Sequence, residues 1–581
     1  MGWASWAPRA ALGLVLTLAS GLAPASAGGA EAGAGAVARF GWLDYQGSDP
    51  SDAVARPGPG DYRNPILAGY YPDPSITRVG DDYYLVHSTF TWFPGLPVFH
   101  SRDLVNWTQI GNAIDRPGML DFGSLGLSRG VFAPAIEHRD GVFYIVNTCV
   151  DCGGNFVITA RDPAGPWSDP VWLPDLEEGI DPSLFFDDDG RAYLLNNGPP
   201  PGAPLYDGHR AIWIQEFDAG ALKTVGPRQL LVDGGIDPST RPIWIEGPHI
   251  IRKDGHYYLI AAEGGTAINH SQVVLRADAP MGPYVPGPVN PILTQRDLDP
   301  DRPHPVTSAG HADFVELPNG EWWATFLAVR PYEGDYYNTG RDTYLLPVRW
   351  VDGWPRITQP GEAIALTHAR PGLPAQPPAP VPTSGPFAVR DEFDGPALPP
   401  YWMMARNPRG DWYSLTEDAG FLTLRLTPVG LSDHGNPAFW ARRQQHMNAL
   451  VTTEMHFAPV RPGDRAGLAA VQSDEYWYRF TVERRGKDRV AQVAMRDGPQ
   501  APADGRLLAS LPVPDDGPLY LRIVARGGAY DFLVATDAAA AGEEWRTVLA
   551  GADGKILSTK AANSFIGAMI GPFAQSATAG K

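Results

Sequence analysis

The chain has 581 residues, with 46 Lys and Arg against 65 Asp and Glu, which leaves a formal net charge of −19. Proteins that bind a phosphate backbone need a basic surface, so this balance speaks against a nucleic-acid partner. Hydrophobic residues make up 44% of the chain alongside 65 Gly and 59 Pro, which argues against disorder and predicts a globular, turn-rich protein.

The first residues have the pattern of a secretory signal peptide. Arg9 precedes a short apolar run over residues 10–22, and Ala25-Ser-Ala27 follows it, so we expect cleavage after Ala27 and a secreted or periplasmic protein. The run is too short to cross a bilayer, and no other stretch of about 18 apolar residues occurs, so we expect no membrane partner. Residues 28–59 are predicted to form an N-terminal extension that either packs on the next domain or is mobile.

A hairpin turn of the Asp-Gly, Asn-Gly or Gly-Asp type recurs five times between residues 60 and 355. Each turn separates an apolar stretch from an aromatic, β-rich stretch, which is a strong hairpin signal. The turns lie at Asp81, Gly141, Gly190, Gly255 and Gly320, separated by 60, 49, 65 and 65 residues. This spacing leaves room for about four strands per unit and predicts a five-bladed β-propeller over residues 60–365. The alternative is a run of unrelated hairpins in a sandwich.

The two cysteines, Cys149 and Cys152, lie three positions apart. A zinc site would need two further ligands, and the sequence holds no second CxxC or HxxxH partner. A thioredoxin motif would begin a helix, whereas Gly153-Gly154 follows here. A loop-closing disulfide, a pair of free thiols and a chemical role are the alternatives, and an oxidising compartment favours the disulfide.

A proline-rich segment over residues 370–382 marks the end of the repeats, and we predict a linker over residues 366–386. Beyond it, residues 421–426, 476–480 and 520–524 alternate or cluster as β-strands do, and no helical period competes with them. The fold class is therefore all-β, with a β-sandwich over residues 387–581 after the propeller.

Four of the five units carry a titratable residue near the start of their first strand. Asp73 lies eight residues before its turn, and Asp181, Glu246 and His311 lie nine residues before theirs, while Phe132 has this position in the second unit. Because the innermost strands of a propeller line its axis, we expect these side chains to converge. Taken singly, each acid has an ordinary explanation as a turn residue or a solvated side chain. Three converging carboxylates would repel each other without a use, and such pairs divide acid and base roles in glycosidic bond hydrolysis.

Several motifs resemble glycoside hydrolase family 43, in particular its exo-acting β-xylosidases and α-L-arabinofuranosidases. The propeller motifs are residues 64–75 (NPILAGYYPDPS), 89–107 and 245–249 (IEGPH), and residues 402–415, 439–446 and 466–472 resemble the β-sandwich of those xylosidases. The resemblance covers nearly all of the chain and implies a concanavalin A-like sandwich. It also implies an exo-enzyme that releases terminal xylose from β-1,4-xylo-oligosaccharides, with an α-L-arabinofuranosidase acting on arabinose-substituted substrates as the alternative. A non-catalytic sugar-binding propeller is a third hypothesis.

The resemblance implies an inverting mechanism with one role for each acid. Asp73 is the expected general base and Glu246 the general acid, while Asp181 orients Glu246 and raises its pKa by like-charge proximity. Arg341 matches a substrate-binding arginine that precedes a Leu-Pro-Val strand, although a solvated loop arginine is the alternative. Phe90 and Phe132 are expected as apolar walls of the sugar pocket or, alternatively, as blade core.

His311 resembles an axial histidine near which some members of the family bind a calcium ion through water. The alternative is a hydrogen-bonded structural histidine, and His311 is also a candidate for substrate binding. No cofactor is expected to be required. Phe565 is a candidate for a sandwich aromatic that closes the pocket, and a homo-oligomer is compatible with the sequence.

Overall fold

The computed structural model describes residues 36–176, 178–537 and 545–577. The described chain is almost entirely β-structure, and its short helices are the 3-10 turns Pro50–Ala53, Pro238–Thr240 and Gly554–Leu557 and the α-helical turn Thr559–Ala562. None of the helices in these ranges is long and apolar enough to cross a membrane. The predicted signal peptide, residues 1–27, lies outside the described residues.

Five antiparallel sheets, each built from consecutive strands, form the predicted five-bladed propeller. From the axis outward, their strands are Ser75–Val79, Asp82–Val86, Gly95–Ser101 and Thr108–Ile114 in blade one; Ala135–Arg139, Val142–Val150, Gly154–Ala160 and Val171–Trp172 in blade two; Ile180–Phe186, Ala192–Gly198, Ala211–Asp218 and Lys223–Asp233 in blade three; Glu246–Lys253, His256–Glu263, Ser271–Ala277 and Val285–Pro286 in blade four; and Thr307–Glu316, Trp322–Val329, Asp342–Val351 and Trp354–Arg356 in blade five. Gly130–Val131 and Leu293–Thr294 extend blades two and four, and Asp61–Arg63 pairs with Thr367–Ala369.

The repeated turns have the geometry that their sequence predicts. Gly141, Gly190, Gly255 and Gly320 have φ angles of 77°, 87°, 81° and 84°. Residues with a Cβ rarely adopt this left-handed backbone conformation, so the hairpins require glycine at these positions.

The inner strands begin with a local distortion at one end of the propeller. Asp73, Asp181 and His311 have φ angles of 54°, 52° and 54°, and Gly247, which follows Glu246, has a φ of 56°. In blades three, four and five the strand register shifts at these residues, as in a β-bulge. Bulges redirect side chains and are frequent beside active sites.

Two eight-stranded sheets form the predicted concanavalin A-like sandwich. In spatial order, the first contains Tyr413–Ser414, Leu422–Arg425, Val37–Ser48, Asn448–His456, Leu519–Arg526, Ala529–Ala535 and Arg546–Asp553, with Phe387–Asp391 also paired to Val37–Ser48; the second contains Arg506–Pro512, Asp488–Asp497, Tyr476–Arg485, Arg465–Ser473, Met569–Gln575, Ala438–Arg443, Met403–Ala405 and Trp92–Phe93. Trp92–Phe93 belongs to a loop of blade one, so backbone pairing joins the two domains.

Residues 28–59 are predicted to form an N-terminal extension that packs on the propeller or is mobile, and for residues 37–48 both alternatives are wrong. This segment is an inner strand of the sandwich, paired on one side with Asn448–His456 and on the other with Leu422–Arg425 and Phe387–Asp391. Ala38, Phe40, Leu43 and Tyr45 are fully buried in the sandwich core. The register shift between Phe40 and Trp42 interrupts the apolar alternation, which hides the strand in the sequence.

A buried ion-pair network follows this strand and ties it to blade five. Arg330 donates hydrogen bonds of 2.9 and 2.8 Å to the two carboxylate oxygens of Asp342 and also contacts Asp49. Asp49 accepts a further hydrogen bond from the backbone of Met447 at 2.8 Å. Because Arg330, Asp342 and Asp49 are all buried, both carboxylates are compensated by one guanidinium across the domain interface.

Candidate active site

The structure brings Asp73, Asp181, Glu246 and His311 together at one end of the propeller. All four side chains are buried, and each belongs to a different blade. The charges of Asp181, His311 and Asp73 all act on Glu246, which shows that the repeat-equivalent positions converge as their spacing predicts.

Glu246 is held in its protonated form at neutral pH. Burial is the main cause that raises its pKa, and the negative charge of Asp181 raises it further, while His311 and Arg341 partly oppose the shift. The net result is a pKa of about 8 instead of the ordinary 4.5. A carboxyl that keeps its proton at pH 7 can donate it in a reaction, which is what a general acid must do.

His311 carries a positive charge within the cluster. Burial alone would lower its pKa, but the ion pair with Asp181 and the other carboxyl groups around it raise it to about 9. Its Nε2 lies 3.6 Å from Asp181 Oδ2. Gly247 makes room for the ring, because a Cβ at that position would lie 2.7 Å from two atoms of the imidazole.

The donor set at the axis does not fit direct metal ligation. His311 Nε2 already faces the Asp181 carboxylate at 3.6 Å. Across the described ranges, no group of three or more His, Cys, Asp or Glu side chains is arranged to hold one. His311 belongs to the charge network with Asp181, and calcium bound near it through water stays a prediction.

Asp73 is fixed by two hydrogen bonds. Ser88 Oγ donates to Oδ2 at 2.5 Å, and Arg341 Nη1 donates to Oδ1 at 2.9 Å. Arg341 is buried, and its other terminal nitrogen donates to the backbone carbonyl of Phe565 at 3.4 Å. The arginine therefore links the carboxylate of blade one to the sandwich, and a solvated loop position is ruled out for it.

Three phenylalanines form an aromatic cluster beside these groups. The Phe90 ring lies 5.1 Å from that of Phe132 in an edge-on arrangement and 5.8 Å from that of Phe565 in a stacked one. Phe90 is buried, whereas Phe132 and Phe565 are partly exposed. Phe565 comes from the sandwich, and its backbone N–H donates to Ser128 Oγ at 2.7 Å, so the second domain supplies one wall.

The structure joins Cys149 and Cys152 in a disulfide, which was one of the three alternatives. The closed loop contains Asp151, which accepts a hydrogen bond of 2.5 Å from Arg129 Nε. The Arg129 guanidinium lies 5.8 Å from the centre of the Phe132 ring. The disulfide loop thus positions a cation beside an aromatic residue of the cluster.

Several contributing residues were not found from the sequence. Arg210 donates two hydrogen bonds, of 2.9 and 2.7 Å, to Asn197 Oδ1, and its positive charge interacts with Glu246 and Asp181. Asn197 in turn donates to the carbonyl of Ile245 at 2.6 Å, directly before Glu246. Neither residue occupies a repeated motif position, so only the folded structure reveals them.

His249 is a further contributor and lies within the 245–249 motif. Its Nδ1 lies 3.5 Å from Asp313, and burial lowers its pKa. Asp313 Oδ2 accepts hydrogen bonds from Ser75 Oγ at 2.8 Å and from the Ile76 backbone at 3.0 Å. This group joins the inner strands of blades one, four and five below the acids.

Residues 62–355, about half of the chain, match the family described as Glycosyl hydrolases family 43. The chain belongs to this family. Residues 390–581 of the family 43 protein match a Beta xylosidase C-terminal Concanavalin A-like domain. The chain is therefore a glycosidase, and its second domain is of a kind described for β-xylosidases.

Similar proteins span most of the family 43 chain. A "Xylosidase/arabinosidase" of Butyrivibrio fibrisolvens is 40% identical over 74% of this chain and 80% of its own length. A "Non-reducing end alpha-L-arabinofuranosidase BoGH43B" of Bacteroides ovatus is 39% identical over 74% of this chain and 78% of its own. A solved structure of a GH43_12 protein from a capybara gut metagenome superposes with a TM-score of 0.84 at 36% identity, covering 93% of this chain and 99% of that one.

Proposed function

We propose that this family 43 glycosidase releases terminal xylose from β-1,4-xylo-oligosaccharides by a single displacement with inversion. The observation that carries the proposal is the contrast between two buried carboxyls. Glu246 keeps its proton at neutral pH, whereas Asp73 is ion-paired with Arg341. Inverting glycoside hydrolysis needs one protonated and one ionised carboxyl group beside the scissile bond.

In this mechanism Glu246 donates its proton to the glycosidic oxygen as the bond to the anomeric carbon breaks. Asp73 accepts a proton from the water molecule that forms the new bond to that carbon from the opposite face. Burial and then the negative charge of Asp181 keep Glu246 protonated, and the His311 imidazolium balances the Asp181 charge. No covalent sugar–enzyme bond forms.

The remaining pocket residues support an exo mode of action. Arg341 reaches the base and can also donate to sugar hydroxyls, while Phe90, Phe132 and Phe565 provide apolar surface for the terminal ring. The sandwich segment that carries Phe565 contacts both Ser128 and Arg341, so this side of the pocket is closed. A closed side favours binding of a chain end.

An α-L-arabinofuranosidase is the second candidate. The relative from Bacteroides ovatus carries that activity in its name, and the relative from Butyrivibrio fibrisolvens is named for both sugars. Arabinofuranose and xylopyranose present similar hydroxyls, and the same Arg341 and acids would act on either.

The test compares hydrolysis of an aryl β-D-xyloside and an aryl α-L-arabinofuranoside by the wild type and the Glu246→Gln and Asp73→Asn variants. Glu316→Gln, which changes an exposed carboxylate at the far end of an inner strand, is the matched control. We expect the xyloside to be the better substrate and both active-site variants to lose at least about 100-fold in kcat/KM. NMR of the reaction mixture should show that the sugar released first has the inverted anomeric configuration. A first product with retained configuration would refute the mechanism.

We propose that hydrolysis needs no metal, so dialysis against a chelator leaves kcat unchanged, and a loss restored by calcium would contradict this. We also propose that the protein is exported and that its signal peptide is cleaved after Ala27. Sequencing the N-terminus of the exported protein tests that position.

A further inference from the structure

Glu246 also indicates where the leaving group must lie. The general acid protonates the bond to the leaving group, so the sugar that departs is on the side of blade four. Asp73, Arg341 and the phenylalanines define the opposite side, where the sandwich covers the pocket. The surface next to Glu246 on blades three and four is therefore where a leaving-group sugar would meet the protein.

That surface is apolar and exposed. Ile243 and Trp244 lie three and two residues before Glu246, and the loop over residues 199–210 of blade three lies beside them. Ile243 is 49% exposed and Leu205 is 79% exposed, while Trp244 is half-buried. The backbone N–H of Trp244 donates to Gly208 at 2.9 Å, which joins the two segments.

Trp244 is braced next to the acid. The Arg210 guanidinium lies 4.7 Å from the centre of the indole and is itself held by Asn197 Oδ1 and by the carbonyl of Glu178. Trp244 has a φ of 51°, so its backbone conformation is one that bulky residues adopt only under constraint. The ring is thus held in one place by the residue whose charge also acts on Glu246.

The facing loop is also ordered by its own contacts. The backbone N–H of Leu205 donates to His209 Nδ1 at 3.1 Å, and His209 Nε2 lies 2.9 Å from Asp233. The Tyr206 hydroxyl donates to the Gly234 carbonyl at 3.0 Å. These hydrogen bonds hold the loop in place although the Leu205 side chain itself is exposed to solvent.

We propose that Leu205, Ile243 and Trp244 form an apolar rim that binds the leaving-group sugar ring of the substrate. The inference rests on the proposed function and extends it, because it assigns the recognition of the leaving group to blades three and four. The C–H faces of a pyranose pack on aliphatic and aromatic side chains, and an already ordered rim binds the ring with little loss of side-chain entropy.

The test uses two substrates with the same glycone and different leaving groups. Xylobiose places a sugar on the rim, whereas β-D-xylosyl fluoride leaves the rim empty. For Leu205→Ser/Ile243→Ser and, separately, for Trp244→Leu, we expect kcat/KM on xylobiose to fall about tenfold, mainly through KM, with at most about a twofold change on the fluoride. Val285→Ser, at an exposed apolar position on the outer strand of blade four, is the control and should change neither value.

The outcomes separate the two proposals. If the wild type hydrolyses neither xylobiose nor xylosyl fluoride, the proposed function is wrong and the rim assignment is wrong with it. If the wild type hydrolyses both substrates and the variants match it on xylobiose, only the rim assignment is refuted. A loss of equal size on both substrates also refutes it, because the residues would then support Glu246 and not the leaving group.

Discussion

Above pH 4.5 the folded protein must keep a proton on Glu246 that the unfolded chain releases, and this lowers the free energy of unfolding. Glu246→Gln should therefore stabilise the enzyme while it abolishes hydrolysis. Glutamine has nearly the same shape as a protonated glutamate and has no charge at any pH. The unfolded chain loses the glutamate proton above its ordinary pKa of 4.5, whereas the native state keeps it up to about 8. Stability of the wild type therefore falls as the pH rises between these values.

The size of the effect follows from the same two values. Each pKa unit corresponds to about 1.4 kcal/mol, so the wild type loses about 3 kcal/mol between pH 4.5 and pH 7 through this one group. The loss reaches about 4 kcal/mol near pH 8, where the buried carboxyl itself is half ionised. The amide variant has no such loss, so the difference between the two proteins should grow over this range.

The assay is thermal unfolding of wild type and Glu246→Gln at pH 4.5, 6, 7 and 8, with Glu316→Gln as the control. We expect equal melting temperatures at pH 4.5 and a gain of several degrees for Glu246→Gln at pH 7. The exposed Glu316 should give no pH-dependent difference. A gain of the same size at every pH would mean that the variant acts through packing, and no gain at pH 7 would refute the protonated state of Glu246.

Three further perturbations have directions that the structure fixes. His311→Gln keeps a donor near Asp181 but removes the positive charge that lowers the pKa of Glu246, so the basic limb of the pH profile of kcat/KM should move up by about one pH unit. The control His270→Gln should leave the profile unchanged, because burial lowers the pKa of His270 to about 4 and this histidine is neutral in the pH range of the assay. A downward shift for His311→Gln would contradict the assignment. Phe40→Ala should cost about 3–5 kcal/mol of stability by unfolding titration, against little for the exposed Gln46→Ala on the same strand, and equal effects would mean that the strand is not in the core. Cys149→Ser/Cys152→Ser should raise KM several-fold with kcat retained, because Asp151 would no longer hold Arg129 beside Phe132; an unchanged KM would show that the loop does not act on the pocket.

The propeller and the position of its acids could be predicted because each rests on local sequence. A hairpin turn needs glycine or aspartate at a defined place, so Gly190 and Gly255 report their turns without reference to any distant residue. Counting back from each turn then locates Asp181 and Glu246. The repeat converts short-range rules into a long-range arrangement.

Features that depend on pairing between distant segments could not be predicted in this way. Nothing near Phe40 indicates that its strand partners lie more than 380 positions further along the chain. Arg210 affects Glu246 only because Asn197 and Trp244 hold it, and none of the three stands at a repeated position. Such contacts come from the packing of blades against each other, which composition and period do not encode.

The strand Val37–Ser48 makes the propeller an insertion within the sandwich. The chain passes from sandwich to propeller after residue 48 and returns through residues 370–382, so the domains have two covalent connections. A protease cut in the second connection would leave them joined by the first. During synthesis, the backbone of Gln445 meets the Tyr45 hydroxyl only after another 400 residues have been made. The first strand therefore stays unpaired until its earliest partner, Phe387–Asp391, has been made, which is after the whole propeller.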